Sequence, residues 1–205
     1  MSVCTSKLIG VLAVVVIVAG GGSRMAASAA TAQPAPSSQF FTALAGLCGK
    51  AFAGRIAANT PPQPNDPFEG RQLVLHIRTC ETDRVLVPFH VGEDRSRTFV
   101  ITRLADRLRF KHDHRHKDGT SDVLTMYGGQ TVSVGTATRQ EFPVDAESKV
   151  LFTREKRDVS NTNTWAMEIL PGKMLAYELS RSGRLFRVEF DVTTPVALPP
   201  APWGS

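Results

Sequence analysis

Three of the chain's five histidines fall within five residues, as His112-Asp113-His114-Arg115-His116. The stretch continues an alternating run, Leu108-Arg109-Phe110-Lys111, and ends in Lys117-Asp118-Gly119-Thr120, which has the composition of a turn. Alternation with a period of two is the mark of a half-buried strand. Leu108, Phe110, His112, His114 and His116 then share one face, and Arg109, Lys111, Asp113, Arg115 and Lys117 share the other. An apolar stripe thus becomes an imidazole stripe toward the strand end. Imidazoles placed so can ligate a divalent metal or a haem iron, or can hydrogen-bond an organic or anionic ligand. Alternate residues lie ~6.8 Å apart along a strand, so two rings, His112 and His114, can tilt onto one metal ion. A third ligand must come from a neighbouring segment, where Asp118, Asp122, His90 and Tyr127 have suitable side chains. The competing reading is a polar strand end whose rings bond water and nearby acids, because H-x-H alone is a common pattern.

Beyond the histidines, Tyr127-Gly128-Gly129 offers close backbone approach to a ligand, or a bulge or tight bend. Trp165 and Met167 alternate with Ala166 and Glu168, so they either line a cavity or pack a core. The expected ligand-binding set is therefore His112, His114, His116, Phe110, Tyr127 and Trp165. Glu168, Glu178 and Glu189 alternate with apolar neighbours and are expected on a solvent face. His76, opposite Leu75 and Ile77, is read as exposed, and His90 as facing out. No G-x-S-x-G, H-E-x-x-H, Walker loop or dinucleotide fingerprint is present, so no catalytic residue is assigned and hydrolase, protease and nucleotide-binding readings lack support.

The elements that must hold these residues are mostly strands. Phe40, Phe41, Leu44 and Leu47 follow helical spacing behind Ser37 and Ser38, which predicts one short helix. A first strand is expected near 50–57, then a proline-rich loop over 59–67. Further strands are expected over 72–79, 84–91, 98–104, 108–116, 123–127, 131–134, 149–153, 165–170, 174–180 and 185–192, with a polar loop at 156–163. Short strands at even spacing, separated by glycine and aspartate turns, predict an all-β fold: a single up-and-down antiparallel barrel of roughly 8–10 strands with one short N-terminal helix. The strand count, hairpin order and leading Phe40–Phe52 segment resemble the calycin group, which includes lipocalins and fatty-acid-binding proteins, over residues 40–193. The lipocalin Gly-x-Trp signature is missing; the segment reads Gly46-Leu47-Cys48-Gly49-Lys50-Ala51-Phe52. The histidine run followed by Thr125-Met126-Tyr127-Gly128-Gly129 is also similar to a group of uncharacterised exported bacterial proteins, with no activity to carry over.

The ends of the chain set its address. Lys7 precedes an uncharged apolar run, Leu8 to Ala19, and then small residues with A-x-A-like sites at Ala27-Ser28-Ala29 and Ala30-Thr31-Ala32. This predicts a signal peptide over 1–32, a flexible spacer over 33–38, the barrel over 39–193 and a Pro-rich tail over 194–205, disordered or laid on the surface. The alternative for the apolar run is a membrane anchor, but it is shorter than the ~20 residues of a spanning helix. Cys4 precedes the run, so it cannot be a lipid-accepting cysteine. Loss of Lys7 and Arg24 lowers the formal charge from +5 to +3, and the basic residues do not cluster, which argues against nucleic acid. Cys48 and Cys80 remain as an even pair, expected as a disulfide in an oxidising compartment, periplasmic or extracellular. Three functions stay open: an exported barrel binding a small hydrophobic or amphipathic ligand at a His-lined mouth; a metal-binding protein or metal-dependent enzyme using His112 and His114; and an envelope interaction protein with a filled core. Oligomeric state has no signal in the sequence.

Overall fold

A computed structural model describes residues 1–3 and 33–205; the signal-peptide reading, with Cys4, Lys7 and the Leu8–Ala19 run, lies outside the described residues. The chain divides into two units, Met1–Ala32 and Gln33–Ser205, and the elements described below all belong to the second. Helix α1 (Pro36–Ala45) leads into β1 (Ala51–Thr60), β2 (Leu73–His76), β3 (Thr79–Cys80), β4 (Arg84–Val91), β5 (Asp94–Arg103), β6 (Leu108–His114), β7 (Tyr127–Gln130) and β8 (Arg139–Pro143). Helix α2 (Ala146–Arg154) and a 3-10 turn (Asp158–Thr162) come next, then β9 (Thr164–Leu170), β10 (Met174–Arg181) and β11 (Arg184–Asp191). α1 begins inside the expected spacer, with proline in its first turn, where a missing N–H costs nothing.

Ten strands form one antiparallel sheet in the order β7-β6-β5-β4-β2-β1-β11-β10-β9-β8, with β3 paired to β4 at its side. The all-β barrel expectation therefore holds. The first and last strands are zipped by a long ladder, Gly54–Thr60 against Leu185–Phe190. The seam lies mid-chain, between β7 and β8, where only the Gly129–Val144 bridge joins the two sides.

At that seam the sequence pattern misleads. The expected strand at 123–127 is loop up to Met126, the one at 131–134 is loop throughout, and Gly128-Gly129, expected to separate them, sits inside β7. A Cβ on Gly128 would stand 1.9 Å from the carbonyl oxygen of Phe110, and one on Gly129 1.9 Å from that of Pro143. The glycines admit neighbouring backbones rather than a ligand. The expected strand at 149–153 is helix α2. Asp145 caps it, its Oδ1 accepting from Ser148 N at 2.9 Å, and an N-cap of this kind favours helix over strand locally. β8, which no pattern announced, supplies the far side of the seam.

The lumen is filled at one end. Phe40, Phe41 and Leu44 of α1 are buried in it, with Arg103 of β5 stacked over Phe41 at 4.3 Å. Phe52, Phe89, Phe99, Phe110, Phe142 and Phe190 continue the packing. The Cys48–Cys80 disulfide is formed, with a Cα–Cα distance of 6.2 Å, and ties the α1–β1 connection to β3. The tail takes the course along the surface: Val196 N donates to Ala51 O (2.8 Å), Arg95 Nη1 to Ala201 O (3.2 Å) and Trp203 N to Arg95 O (3.0 Å). It crosses the outer face that carries His76 and His90. Both are buried, which corrects the exposed reading, because a covering strap cannot be inferred from the alternation of the strands beneath it.

Replacement of Gly129 by alanine tests the seam. The variant is expected to lose about 3 kcal/mol or to fail to fold, since one added carbon meets rigid backbone. Gly46→Ala, at a position with φ −64° and no contact under 3.4 Å, is expected to leave the melting temperature near native.

Candidate functional site

β6 runs from the α1 end to the opposite mouth, so its inward face passes from apolar to polar along the lumen: Leu108 and Phe110 are fully buried, His112 is 3 % exposed and His114 is half-buried. His116 lies beyond the strand in the turn and is exposed; it does not turn inward, because alternation ends where Arg115 leaves the ladder for a bridge to Ser121. The trio is thus split over three environments.

His112 is a structural link. Its Nδ1 lies 3.3 Å from the carbonyl oxygen of Tyr127, which can only accept, so Nδ1 carries the hydrogen. Nε2 of the neutral ring then accepts from the Tyr177 hydroxyl at 3.1 Å. The ring stacks on Tyr127 (4.6 Å, 18°) and meets Phe110 and Phe99 edge-on. With both nitrogens engaged, His112 has no lone pair for a metal, and the His112 and His114 ring centroids are 6.3 Å apart. Among the described residues no group of three or more His, Cys, Asp or Glu side chains is placed to hold a metal. Asp118 bonds Thr120 in an exposed turn and His90 lies on the outer face, so neither meets the β6 histidines.

His114 and Tyr127 open onto a cavity of about 370 Å³ at this mouth. His114 Nε2 and the Tyr127 hydroxyl are 3.2 Å apart. The walls are Phe68, Phe152, Trp165, Tyr177 and Phe186, with Leu124, Leu179, Asp122, Arg157, Ser160, Asn163 and Arg181 completing them. Of the six expected ligand-binding residues, His114, Tyr127 and Trp165 line the cavity. His112 and Phe110 pack behind it, and His116 is outside. A broader depression of about 530 Å³ lies on the outer wall beside Arg55 and Glu189, but it is open to solvent and those two charges already pair at 2.7 Å.

Three segments that sequence reasoning missed build the site. The proline-rich β1–β2 loop returns over the mouth and lays Phe68 against Phe186 (4.8 Å) and Phe89 (5.8 Å). α2 brings Phe152 against Tyr127 at 5.2 Å, and the 3-10 turn after it brings Ser160 beside Asn163. Tyr177, Leu179 and Phe186 were findable: they sit on the inward face of β10 and β11 by simple alternation. Phe68, Arg157 and Ser160 lie in irregular segments, where period carries no signal.

Burial sets the electrostatics. Desolvation first, and the nearby Arg97 guanidinium second, push the His114 imidazole down to about 4. Desolvation holds His112 well below its ordinary range and pushes the Tyr127 phenol up to about 12. At neutral pH the mouth therefore presents neutral imidazole and neutral phenol. Arg97 is occupied by Asp94 at 2.6 Å and lies over Phe68 at 5.4 Å. Comparison with protein-family models, with curated proteins and with solved structures returns no match.

The depressed histidines fix a pH dependence. Folded His112 and His114 bind a proton less readily than in the unfolded chain, where the value is near 6.5. Their contribution is complete above about 6.5 and is lost as pH falls below it, for His114 down to about 4, by up to ~1.4 kcal/mol per pH unit per histidine. Thermal melts from pH 7 to 4.5 are expected to fall steeply, and less steeply in His114→Phe. Parallel curves would show that His114 does not titrate in this window.

Proposed function

We propose that this chain is a non-enzymatic binding protein that holds one small amphipathic molecule in the cavity at the α2 mouth of its barrel. The observation that carries the reading is the composition of that cavity: six aromatic rings converge on a space of about 370 Å³, with hydrogen-bonding groups only at defined points. Sites for small ligands are of this kind, mostly apolar, concave and furnished with few polar groups. The half of the lumen toward α1 is filled, which limits the occupant to a compact molecule and gives the filled-core interaction reading support for that half alone. Export is part of the proposal. The Cys48–Cys80 disulfide supports it, and among the described residues no helix is long and apolar enough to cross a membrane.

Phenylnaphthylamine, a neutral dye whose emission rises in apolar surroundings, tests the cavity. Native protein is expected to bind it saturably at one site. Ser160→Trp, which fills the space from the 3-10 turn, is expected to weaken binding by about tenfold or more with an unchanged melting temperature. Val134→Trp, on an exposed loop away from the cavity, is the control. Equal binding by native protein and the Ser160→Trp variant would remove the proposal.

A further inference from the structure

The charges around the mouth do not balance. Arg157 is exposed at the cavity edge and Arg181 is half-buried there; among the described residues neither has a carboxylate partner. The side-chain bond of Arg181 goes to the neutral Asn163 Oδ1 at 3.2 Å. Directly across the β10–β11 hairpin from Arg181 stands Arg184, a like-charged cross-strand pair, which is an unfavourable arrangement when nothing compensates it. Arg184 lies over Phe186 at 5.7 Å and gives its hydrogen bonds to the carbonyls of Pro61 (3.2 Å) and Leu185 (3.0 Å), so it too bonds no carboxylate. The one carboxylate lining the cavity, Asp122, is partly used: its Oδ1 accepts from Leu124 N at 2.8 Å. The opposite end of the cavity is shut. Trp165 and Tyr177 form its floor, His112 is packed beneath them, and Phe110 and Phe99 fill the lumen below.

We infer that the occupant of this cavity is a compact aryl anion, its ring seated among Tyr127, Trp165, Tyr177 and Phe152 and its carboxylate, sulfonate or phosphate head held between Arg157 and Arg181. This rests on the binding function proposed for the same cavity. A guanidinium reads an oxyanion through two parallel N–H donors, and aromatic walls favour a flat body. An anion between the two hairpin strands and the 3-10 turn also relieves the Arg181–Arg184 repulsion. The closed floor excludes a long chain, whose tail would have to enter the packed lumen.

Two dyes that share a body separate the two levels of the proposal: neutral phenylnaphthylamine and its sulfonated relative, anilinonaphthalene sulfonate. Titrations use the folded chain without its first 32 residues at about 20 mM and about 500 mM NaCl. The sulfonated dye is expected to bind about tenfold tighter or more at low salt, with the preference shrinking at high salt. Arg157→Gln, which removes an exposed side chain with no structural bond, and the Arg157→Gln/Arg181→Gln pair are expected to weaken the sulfonated dye and leave the neutral one unchanged. Asp122→Asn keeps the acceptor for Leu124 N and is expected to strengthen the sulfonated dye. Equal affinities for the two dyes, or a preference that survives the paired substitution, overturn the anion assignment and leave the cavity as a neutral-ligand site. Failure of native protein to bind either dye overturns both.

Discussion

Closure of this barrel between β7 and β8 depends on a backbone approach too close for any side chain. Gly128 and Gly129 let β7 lie against the carbonyls of Phe110 on one side and Pro143 on the other. With one bridge in place of a ladder, the seam takes its remaining bonds from the α2 segment. Gly128 N donates to Ser148 Oγ at 2.7 Å and Asp145 N donates to Gly128 O at 3.0 Å. Asp145 also caps α2 and accepts from Lys111 Nζ at 2.6 Å. Lys111 is 5 % exposed, and a lysine so covered is tolerable only when its charge is met, here by Asp145 and by Glu147 at 3.4 Å. Strand approach, helix cap and ion pair are therefore one arrangement. It fixes the start of α2, and through it the positions of Phe152 and the 3-10 turn that wall the cavity.

The lumen is divided by a polar layer. Below His112 the packing is dominated by phenylalanines and α1 plugs the end; above it Tyr127, Tyr177, Trp165 and His114 add hydroxyl, indole and imidazole groups to the phenyl walls of Phe68, Phe152 and Phe186. A chain of contacts, Tyr177 hydroxyl to His112 Nε2, His112 Nδ1 to Tyr127 carbonyl and Tyr127 hydroxyl to His114 Nε2, spans this layer. Buried polar groups are costly unless paired, and pairing here fixes rotamers that define the cavity floor. The histidine stripe is accordingly a boundary between packed core and open mouth, and only its middle member, His114, reaches the space where a ligand would sit.

Much of this was readable in the residues. Alternation placed β4, β5, β6, β10 and β11, and with them the inward faces, because an antiparallel barrel with one wet side writes its register into a period of two. It also placed Glu168, Glu178 and Glu189 outward. The same device failed where structure is set by contact rather than period. Lys149–Thr153 has the composition of a strand, but the Asp145 cap and Glu147 in the first turn stabilise a helix there. Gly128-Gly129 reads as a turn and is instead the densest point of the seam. His76 and His90 alternate outward and are covered by a tail whose prolines suggested disorder. Phe68 and Arg157, both at the cavity, come from loops that approach only once the barrel exists.

The distribution of charge on the two sides of the wall explains why the mouth is left cationic. On the outer face Arg187 bonds Glu168, Glu178 and Glu189 at 2.8, 3.1 and 3.1 Å, Arg139 bonds Glu178 and Glu141 at 2.8 and 3.0 Å, and Arg55 bonds Glu189 at 2.7 Å. Every glutamate of β9, β10 and β11 is used in that network. These pairs, most of them partly buried, form one connected set that bridges five strands, β1, β11, β10, β9 and β8. Arg181 and Arg184 are the last pair of that hairpin, three register positions past Glu178–Arg187 and on the inward face, away from those carboxylates. The sheet that neutralises its arginines along its length thus leaves two of them facing each other at the opening. There the lining acid, Asp122, already holds its own loop, and Asp66, which acts on Arg184 through space, is held by Asn59 and Phe68 N, so among the described residues no carboxylate bonds either arginine.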